Sequence, residues 1–388
     1  MFTQADHDFM AQALKLAARG MNTATPNPRV GCVIVKDHKV VGEGWHRRAG
    51  EPHAEIVALA QAAGQSRGAI AYLTLEPCSH FGRTPPCVDV LVEAKVAQVI
   101  CAMEDPNPLV NGRGLALLRA AGIDVRCGLL ASEARELNCG FVSRMSRGLP
   151  WVRLKAALSL DGRSALHNGS SKWITSEAAR IDGHVWRARA CAILTGIGTV
   201  RDDDPQLNVR HVDTTRQPLR VLVDSKLEVD LSAKVLRGGA TLIACAVRNP
   251  DKERELLDRG CEVICLPNEH NKVQLPELLG RLAKRGINEL HVEAGHKLNG
   301  SLLREGCVDE LLIYLAPMLL GDAHGLAQLQ PMTDVAQGLP LRFHDIERVG
   351  KDLRIVARVA RGDALTASDG NAQQAAKPLS VESLSADN

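Results

Sequence analysis

The chain has 388 residues, enough for about two domains, and its 45% hydrophobic content is enough for packed cores. A formal net charge of +2, with only 3% aromatic residues and no basic block, argues against nucleic acid as the main partner. No apolar run could span a bilayer, no apolar signal segment opens the chain, and the eleven cysteines show no regular pairing, so a reducing cytoplasm and no membrane partner are expected.

Apolar residues at helical spacing predict a helix over 2–19, followed by a buried strand over 30–36, a turn at Asp37-His38 and a second strand over 40–45. The segment 53–63 reads as a helix with His53 at its start and Glu55 in its first turn. Residues 69–75 form a strand that delivers Glu76-Pro77-Cys78. Cys87 opens a helix over 88–94, and a strand over 96–103 runs into the turn cluster Asp105-Pro-Asn-Pro108. A domain boundary falls near Ser146–Pro150. Beyond it come a strand over 151–157, a turn at Asp161-Gly162, a helix over 176–190 capped by Ser176, and a strand over 191–196. Short strands at 219–224, 241–247 and 290–293, with helices at 275–285 and 298–305, predict a mostly parallel sheet. The chain from about Gly362 has no periodicity and reads as a disordered tail. Cys32, Cys101, Cys191 and Cys245 fall in apolar runs and read as core. Cys261 and Cys265 would share a strand face, with packing favoured over a metal or disulfide role.

The densest chemical signal is His53-Ala-Glu55, then Pro77-Cys78, then Cys87, with eight residues separating the two cysteines. One imidazole and two thiolates suit Zn²⁺, and three protein ligands leave the fourth tetrahedral position open, as catalytic sites require. Glu55 is too close in sequence to His53 for both to be ligands, but is well placed to exchange a proton with bound water. That is the arrangement of zinc-dependent base deaminases. The competing readings are a structural zinc knot completed by His80, or two buried thiols with a surface histidine. Neither gives Glu55 a role. In the second half, Gly196-Ile-Gly-Thr-Val-Arg201 follows a strand but lacks a third glycine and shows no clear helix after it, so a Rossmann fingerprint is not expected. Val292-Glu-Ala-Gly295 leads into a helix whose first N–H groups could hold a pyrophosphate; the same pattern also occurs in ordinary strand-turn-helix units.

These motifs, with Pro26–Val35, Ser159-Leu-Asp-Gly-Arg163, Trp173-Ile-Thr-Ser176 and Asp203-Asp-Pro205, closely resemble the bifunctional deaminase-reductases of riboflavin biosynthesis, over nearly the whole chain. The long Cys78-to-Cys87 spacing is that family's own. The resemblance implies an α/β chain with a cytidine-deaminase-like domain (1–147), a dihydrofolate-reductase-like domain (148–362) and a tail (363–388). It also implies one Zn²⁺ held by His53, Cys78 and Cys87, NADPH as coenzyme, and a phosphoribosylaminopyrimidine substrate that is deaminated and then reduced on its ribose. Zinc lowers the pKa of its water from about 15.7 towards ~7, and Glu55 would carry the proton to the ring and then to departing ammonia.

By the same resemblance, Asn27, His46, His80, Arg83 and Asn107 surround the first substrate, although His46 and His80 also read as solvated loop histidines. The coenzyme side comprises Ala157, Trp173, Thr199, Asp203, Ser225 and the turn Gly295, His296, Lys297, Leu298, Asn299, Gly300 and Ser301. The second substrate side comprises Ser171, Arg187, Leu207, Arg210 and Glu293, with the two arginines as phosphate clamps. Lys155 and Asp161 either hydrogen-bond the opened sugar or form an ion pair that stiffens the strand. One departure concerns the coenzyme's 2′-phosphate: Glu228 stands where the family often has a basic residue, leaving Lys226 to serve. A homo-oligomer is left open. Two other readings compete: a zinc deaminase acting on a free nucleoside or a base in RNA, and a non-catalytic metabolite-binding protein, which the intact His53, Cys78, Cys87 and Glu55 disfavour.

Overall fold

The computed structural model describes residues 1–79 and 86–360. His80, Arg83 and the tail expected from Gly362 lie outside the described residues. The chain divides into two compact units. One is Met1–Pro150 with Thr214–Arg216 and Ala283–Asn288; the other is Trp151–Asp213, Gln217–Leu282 and the chain from Glu289. No helix among the described residues is long and apolar enough to cross a membrane.

The first unit runs α1 (Gln4–Ala18), β1 (Gly31–Lys36), β2 (Lys39–Trp45), α2 (Ala54–Ala62), β3 (Ile70–Leu73), α3 (Cys87–Glu93), β4 (Gln98–Cys101), α4 (Arg113–Ala120), β5 (Asp124–Cys127), α5 (Ala131–Leu137) and α6 (Cys139–Arg147). Its sheet has the order β2-β1-β3-β4-β5, with β1 antiparallel to both neighbours and β3, β4 and β5 parallel. Side chains alternate across a strand, so each strand feeds two cores. Cys32, Ile34, Ala71, Leu73, Val99 and Cys101 pack against α2, α3 and α4. Val33, Val35, Tyr72 and Ile100 pack against α1, α5 and α6. Thr3 and Asp6 form a reciprocal capping box that starts α1, which is typically worth ~1 kcal/mol.

Helix α2 lies unusually close to the sheet. Ala54, Ala58 and Ala62 line its inner face, and a Cβ added at Gly42 or Gly44 would sit 2.1 or 2.2 Å from the Ala58 or Ala54 carbonyl oxygen. That close approach seats the first turn of α2, with His53 and Glu55, near the end of β3.

The second unit contains β6 (Trp151–Ser159), β7 (Arg163–Ala165), α7 (Glu177–Arg189), β8 (Ala192–Gly196), α8 (Ile197–Asp203), β9 (Leu219–Val223), β10 (Thr241–Cys245), α9 (Pro250–Asp258), β11 (Cys261–Cys265), α10 (Leu275–Lys284), β12 (Glu289–Val292), α11 (His296–Arg304), β13 (Glu310–Ala316), β14 (His324–Gly325), β15 (Leu341–Val349) and β16 (Asp352–Val359). Nine strands form one sheet in the order β11-β10-β9-β8-β12-β6-β13-β16-β15. From β11 to β13 every pairing is parallel, whereas β16 and β15 are antiparallel additions at the edge. β12 inserts between β6 and β8, so the chain reverses its direction of winding there. Ligands of open α/β sheets bind at such a point, outside the carboxyl ends of the strands.

Two expectations need correction. A helix does follow Gly196: α8 begins at Ile197 and is anchored by the buried Val200. Asp161 neither pairs with Lys155 nor lines the cleft of this unit. It accepts from the Ser159 hydroxyl at 2.5 Å and from the Leu320 and Gly321 amides at 3.1 and 2.8 Å, closing a turn. These bonds also hold its carboxyl down at about 2, the serine hydroxyl most of all.

Candidate active sites

In the first unit, His53 is the N-cap of α2 and its side chain makes no capping bond. The imidazole is therefore free to turn towards the thiols. Its Nδ1 lies 3.2 Å from Cys87 Sγ and 3.6 Å from Cys78 Sγ, and the three donor atoms all lie within 4.8 Å of one another. Cys78 follows β3, and Cys87 is the first residue of α3, its amide donating to Cys78 Sγ at 3.4 Å. Two sulfurs and one nitrogen converging on one point fit Zn²⁺, and no fourth His, Cys, Asp or Glu joins the cluster among the described residues.

Glu55 is 3% exposed beside this cluster. Burial pushes its carboxyl up, partly opposed by a backbone hydrogen bond and by His53. Cys78 is the thiol that ionises more readily, held below the usual thiol range because the Cys87 S–H donates to it and His53 stands beside it. Cys87 is pushed up by the same bond and by burial. His46, 5.3 Å from the His53 ring, holds the Pro52 carbonyl at 3.2 Å through Nδ1 and meets Asn27 Nδ2 at 3.0 Å through Nε2. It is 3% exposed, which also lowers its pKa, so it is not a solvated loop histidine. Asn107 is half-buried in a turn, where it accepts from the Leu109 amide at 3.1 Å.

One residue near this site had no assigned role in the sequence. Glu76, 3% exposed, accepts from the amides of Asp105, Gly112, Gly114 and Leu115 at 3.0, 2.8, 2.8 and 3.3 Å. It satisfies the free first N–H groups of α4, whose N-cap Gly112 offers no side chain. Its position two residues before Cys78 was the available signal.

In the second unit a cleft of about 1850 Å³ opens along the carboxyl ends of β6, β12, β8 and β9. Of the expected coenzyme residues, Ala157, Trp173, Thr199, Asp203, Ser225, Gly295, His296, Lys297, Leu298, Asn299 and Ser301 line it, as do Ser171, Arg187, Leu207, Arg210 and Glu293. Gly300 does not. It packs under the Gln328 carbonyl, which a Cβ would meet at 2.1 Å, so its smallness serves helix packing.

Arg187 and Glu293 form a bidentate pair at 2.5 and 2.9 Å, both side chains largely buried. Burial alone would raise the Glu293 carboxyl, but the Arg187 guanidinium, with His291 and Lys155, pulls it well below the usual range. Lys155 lines the cleft with no carboxylate at ion-pair distance among the described residues, and desolvation lowers its pKa against the pull of Glu293. His184, three residues before Arg187 and on the same helix face, accepts from the Arg210 amide at 3.0 Å. The N-terminus of α11 faces the cleft through Gly295 and His296 with no side-chain cap, and Asn299, 2% exposed, keeps an unpartnered Oδ1. Free helix N–H groups and a long cleft suit a coenzyme with a pyrophosphate.

The first unit is thus a zinc-site α/β domain of the deaminase type, and the second is a coenzyme-binding α/β domain whose cleft holds the buried Arg187–Glu293 pair. Comparison with known proteins points the same way for both. Residues 3–103 match the cytidine and deoxycytidylate deaminase zinc-binding region, and residues 150–355 match the RibD C-terminal domain. The chain is 47% identical to the riboflavin biosynthesis protein RibD of Escherichia coli K12, covering 90% of this chain and 98% of that one. The Haemophilus influenzae protein of the same name is 46% identical over 91% and 97%. Among solved structures, RibD of Acinetobacter baumannii superposes with a TM-score of 0.86 at 43% identity, covering 92% of this chain and 99% of that one. A diaminohydroxyphosphoribosylaminopyrimidine deaminase/5-amino-6-(5-phosphoribosylamino)uracil reductase of Thermotoga maritima gives 0.81 at 31%, with the same coverage.

The chain belongs to the family of the riboflavin biosynthesis protein RibD. It is a bifunctional enzyme acting on a small molecule, with a zinc-dependent, cytidine-deaminase-like domain and an NADPH-dependent, dihydrofolate-reductase-like domain.

Proposed function

We propose that the first unit deaminates a diaminopyrimidinone carrying a phosphoribosylamino group, and that the second reduces the ribosyl group of the resulting 5-amino-6-(5-phosphoribosylamino)uracil to ribityl. The deaminase is assigned to residues 1–147 and the reductase to 148–362. The observation that carries the reading is the convergence of His53, Cys78 and Cys87 beside the buried Glu55.

Zinc held by those three residues supplies a Lewis acid that makes water nucleophilic near neutral pH. Glu55 takes one proton as water adds to the ring carbon bearing the amine and passes it to a ring nitrogen. It then takes the second proton from the new hydroxyl and delivers it to the amino group, which leaves as ammonia as the C–N bond breaks and the carbonyl forms. Asn27 orients the ring through its amide oxygen and is held in place by His46, whose two ring nitrogens meet Asn27 and the Pro52 carbonyl. His80, Arg83 and Asn107 complete the contacts by family resemblance.

In the cleft, NADPH supplies the hydride. Arg187 and Arg210 hold the substrate phosphate, and Glu293 fixes the Arg187 fork in place. Lys155 donates a proton or hydrogen bond to the opened sugar as hydride reaches C1′. Ser171 and Leu207 line the substrate end; Ala157, Trp173, Thr199, Asp203, Ser225 and the start of α11 take the coenzyme. A reducing cytoplasm suits eleven cysteines, none of them in a disulfide.

The test is turnover of the phosphoribosylaminopyrimidine with and without NADPH. Ammonia should appear in both cases, and NADPH oxidation should follow only after deamination. Ammonia release from free cytidine alone would favour a nucleoside deaminase, and no release from either would remove the deaminase assignment.

A further inference from the structure

The coenzyme reading above leaves open what distinguishes NADPH from NADH. The nicotinamide must reach the substrate end of the cleft, at Lys155 and Glu293, and the pyrophosphate the start of α11. The strand order β12-β8-β9 then carries the adenosine past Gly196 towards the carboxyl end of β9. Exposed charged side chains line that end, Arg201, Glu228 and Lys226 among them. Arg201, in the last turn of α8, pairs with Glu228 at 2.7 Å, their side chains 54% and 43% exposed. Lys226, exposed directly after Ser225, has no ion-pair partner among the described residues. The nearby Lys234 is already committed to Asp204 at 3.1 Å.

An exposed ion pair is weak and opens at little cost. A guanidinium offers a planar fork that matches a phosphate, and a carboxylate at the same place accepts from a ribose hydroxyl. We propose that Arg201, seconded by Lys226, reads the 2′-phosphate of NADPH, and that Glu228 sets the balance between the two coenzymes. Glu228 gives up Arg201 when a phosphate arrives and receives the 2′-hydroxyl when none is present. The pair therefore moderates a preference that an unopposed cation would make steep.

The experiment is calorimetric titration of the full chain with NADPH, NADH, 2′,5′-ADP and 5′-AMP. In Arg201→Gln, NADPH and 2′,5′-ADP should bind about tenfold more weakly, the equivalent of one lost charge-assisted bond. NADH and 5′-AMP should stay within about twofold, as for loss of an exposed side chain elsewhere. Glu228→Gln should shift the NADPH-to-NADH affinity ratio severalfold towards NADPH. Both positions are exposed, so a folding defect is not expected, and Lys226→Gln gives a smaller loss in the same direction. Equal losses for both coenzymes in Arg201→Gln, or an unchanged ratio in both variants, would overturn the inference alone. Failure of the wild-type chain to bind either coenzyme would overturn the coenzyme cleft, and this inference with it.

Discussion

Glu76→Gln is the most informative perturbation of the deaminase unit that leaves every zinc ligand and Glu55 untouched. Each Glu76 oxygen accepts two backbone amides, Oε2 from Asp105 and Gly112 and Oε1 from Gly114 and Leu115. Converting one oxygen to an NH₂ group removes two of those four bonds and turns two buried N–H groups towards a donor. A hydrogen bond to a charged group contributes about 1.5–3 kcal/mol, so the variant should lose about 3–6 kcal/mol. For a unit of roughly 150 residues each kcal/mol moves the melting point by about 2–4 °C, which puts the fall at no less than about 6 °C. Because Glu76 braces the segment that ends in Cys78, zinc retention after dialysis should drop as well. Scanning calorimetry of the full chain, with metal analysis of the same samples, reads both. The second unit's transition should not move. A shift under about 2 °C with full zinc retention would refute the bracing role.

Cys78→Ala should abolish the roughly one equivalent of zinc expected from a three-ligand site, and full retention would sink the ligand assignment. Glu293→Gln leaves the buried Arg187 guanidinium uncompensated, a change that typically costs about 3–5 kcal/mol. The second unit's transition should fall accordingly, and an unchanged transition would show that the pair carries no stability. Burial, with Arg187 and Arg210 nearby, holds His184 at about 4 against an ordinary 6.5. A depressed folded-state value means that the unfolded chain binds the proton more readily, so the contribution is complete above pH 6.5 and is lost as the pH falls towards 4. The melting temperature of the second unit should decline over that window, and less so in His184→Gln; parallel declines would exclude this histidine as the cause.

The helix-start position of His53 and Glu55, and the delivery of Cys78 by a strand and Cys87 by a helix, were legible because apolar runs and turn residues bracket them closely. Strands β6, β8, β9, β10 and β12 were legible for the same reason. The stretch carrying α4, β5, α5 and α6 was not, since each element is nine residues or shorter and β5, Asp-Val-Arg-Cys, is only half buried. Helix α8 starts with Ile-Gly-Thr, a poor helix-forming sequence, and is held by Val200 in the core. Gly300 was placed with the coenzyme turn by resemblance alone. Only the return of the chain at Gln328 reveals its packing role. Strand β15 hides its alternation behind a bulge between Phe343 and Asp345, although β13, Glu-Leu-Leu-Ile-Tyr-Leu-Ala, carried a clear strand signal. Lys155 and Asp161 looked equivalent in sequence, and only the placement of one in the cleft and the other in a turn separates them.

The central claim is that one chain performs two reactions at two separate sites, and a paired assay of Glu55→Gln and Arg210→Ala tests it most directly. Ammonia release is measured on the diaminopyrimidinone substrate, and NADPH absorbance on the already deaminated phosphoribosylaminouracil. Glu55→Gln should keep zinc and lose deamination by about 10²–10⁴-fold while reducing the deaminated substrate normally. Arg210→Ala should weaken reduction by about tenfold or more and leave ammonia release intact. Loss of both activities in both folded variants would contradict two independent sites and require the reductase assignment of the second unit to be withdrawn.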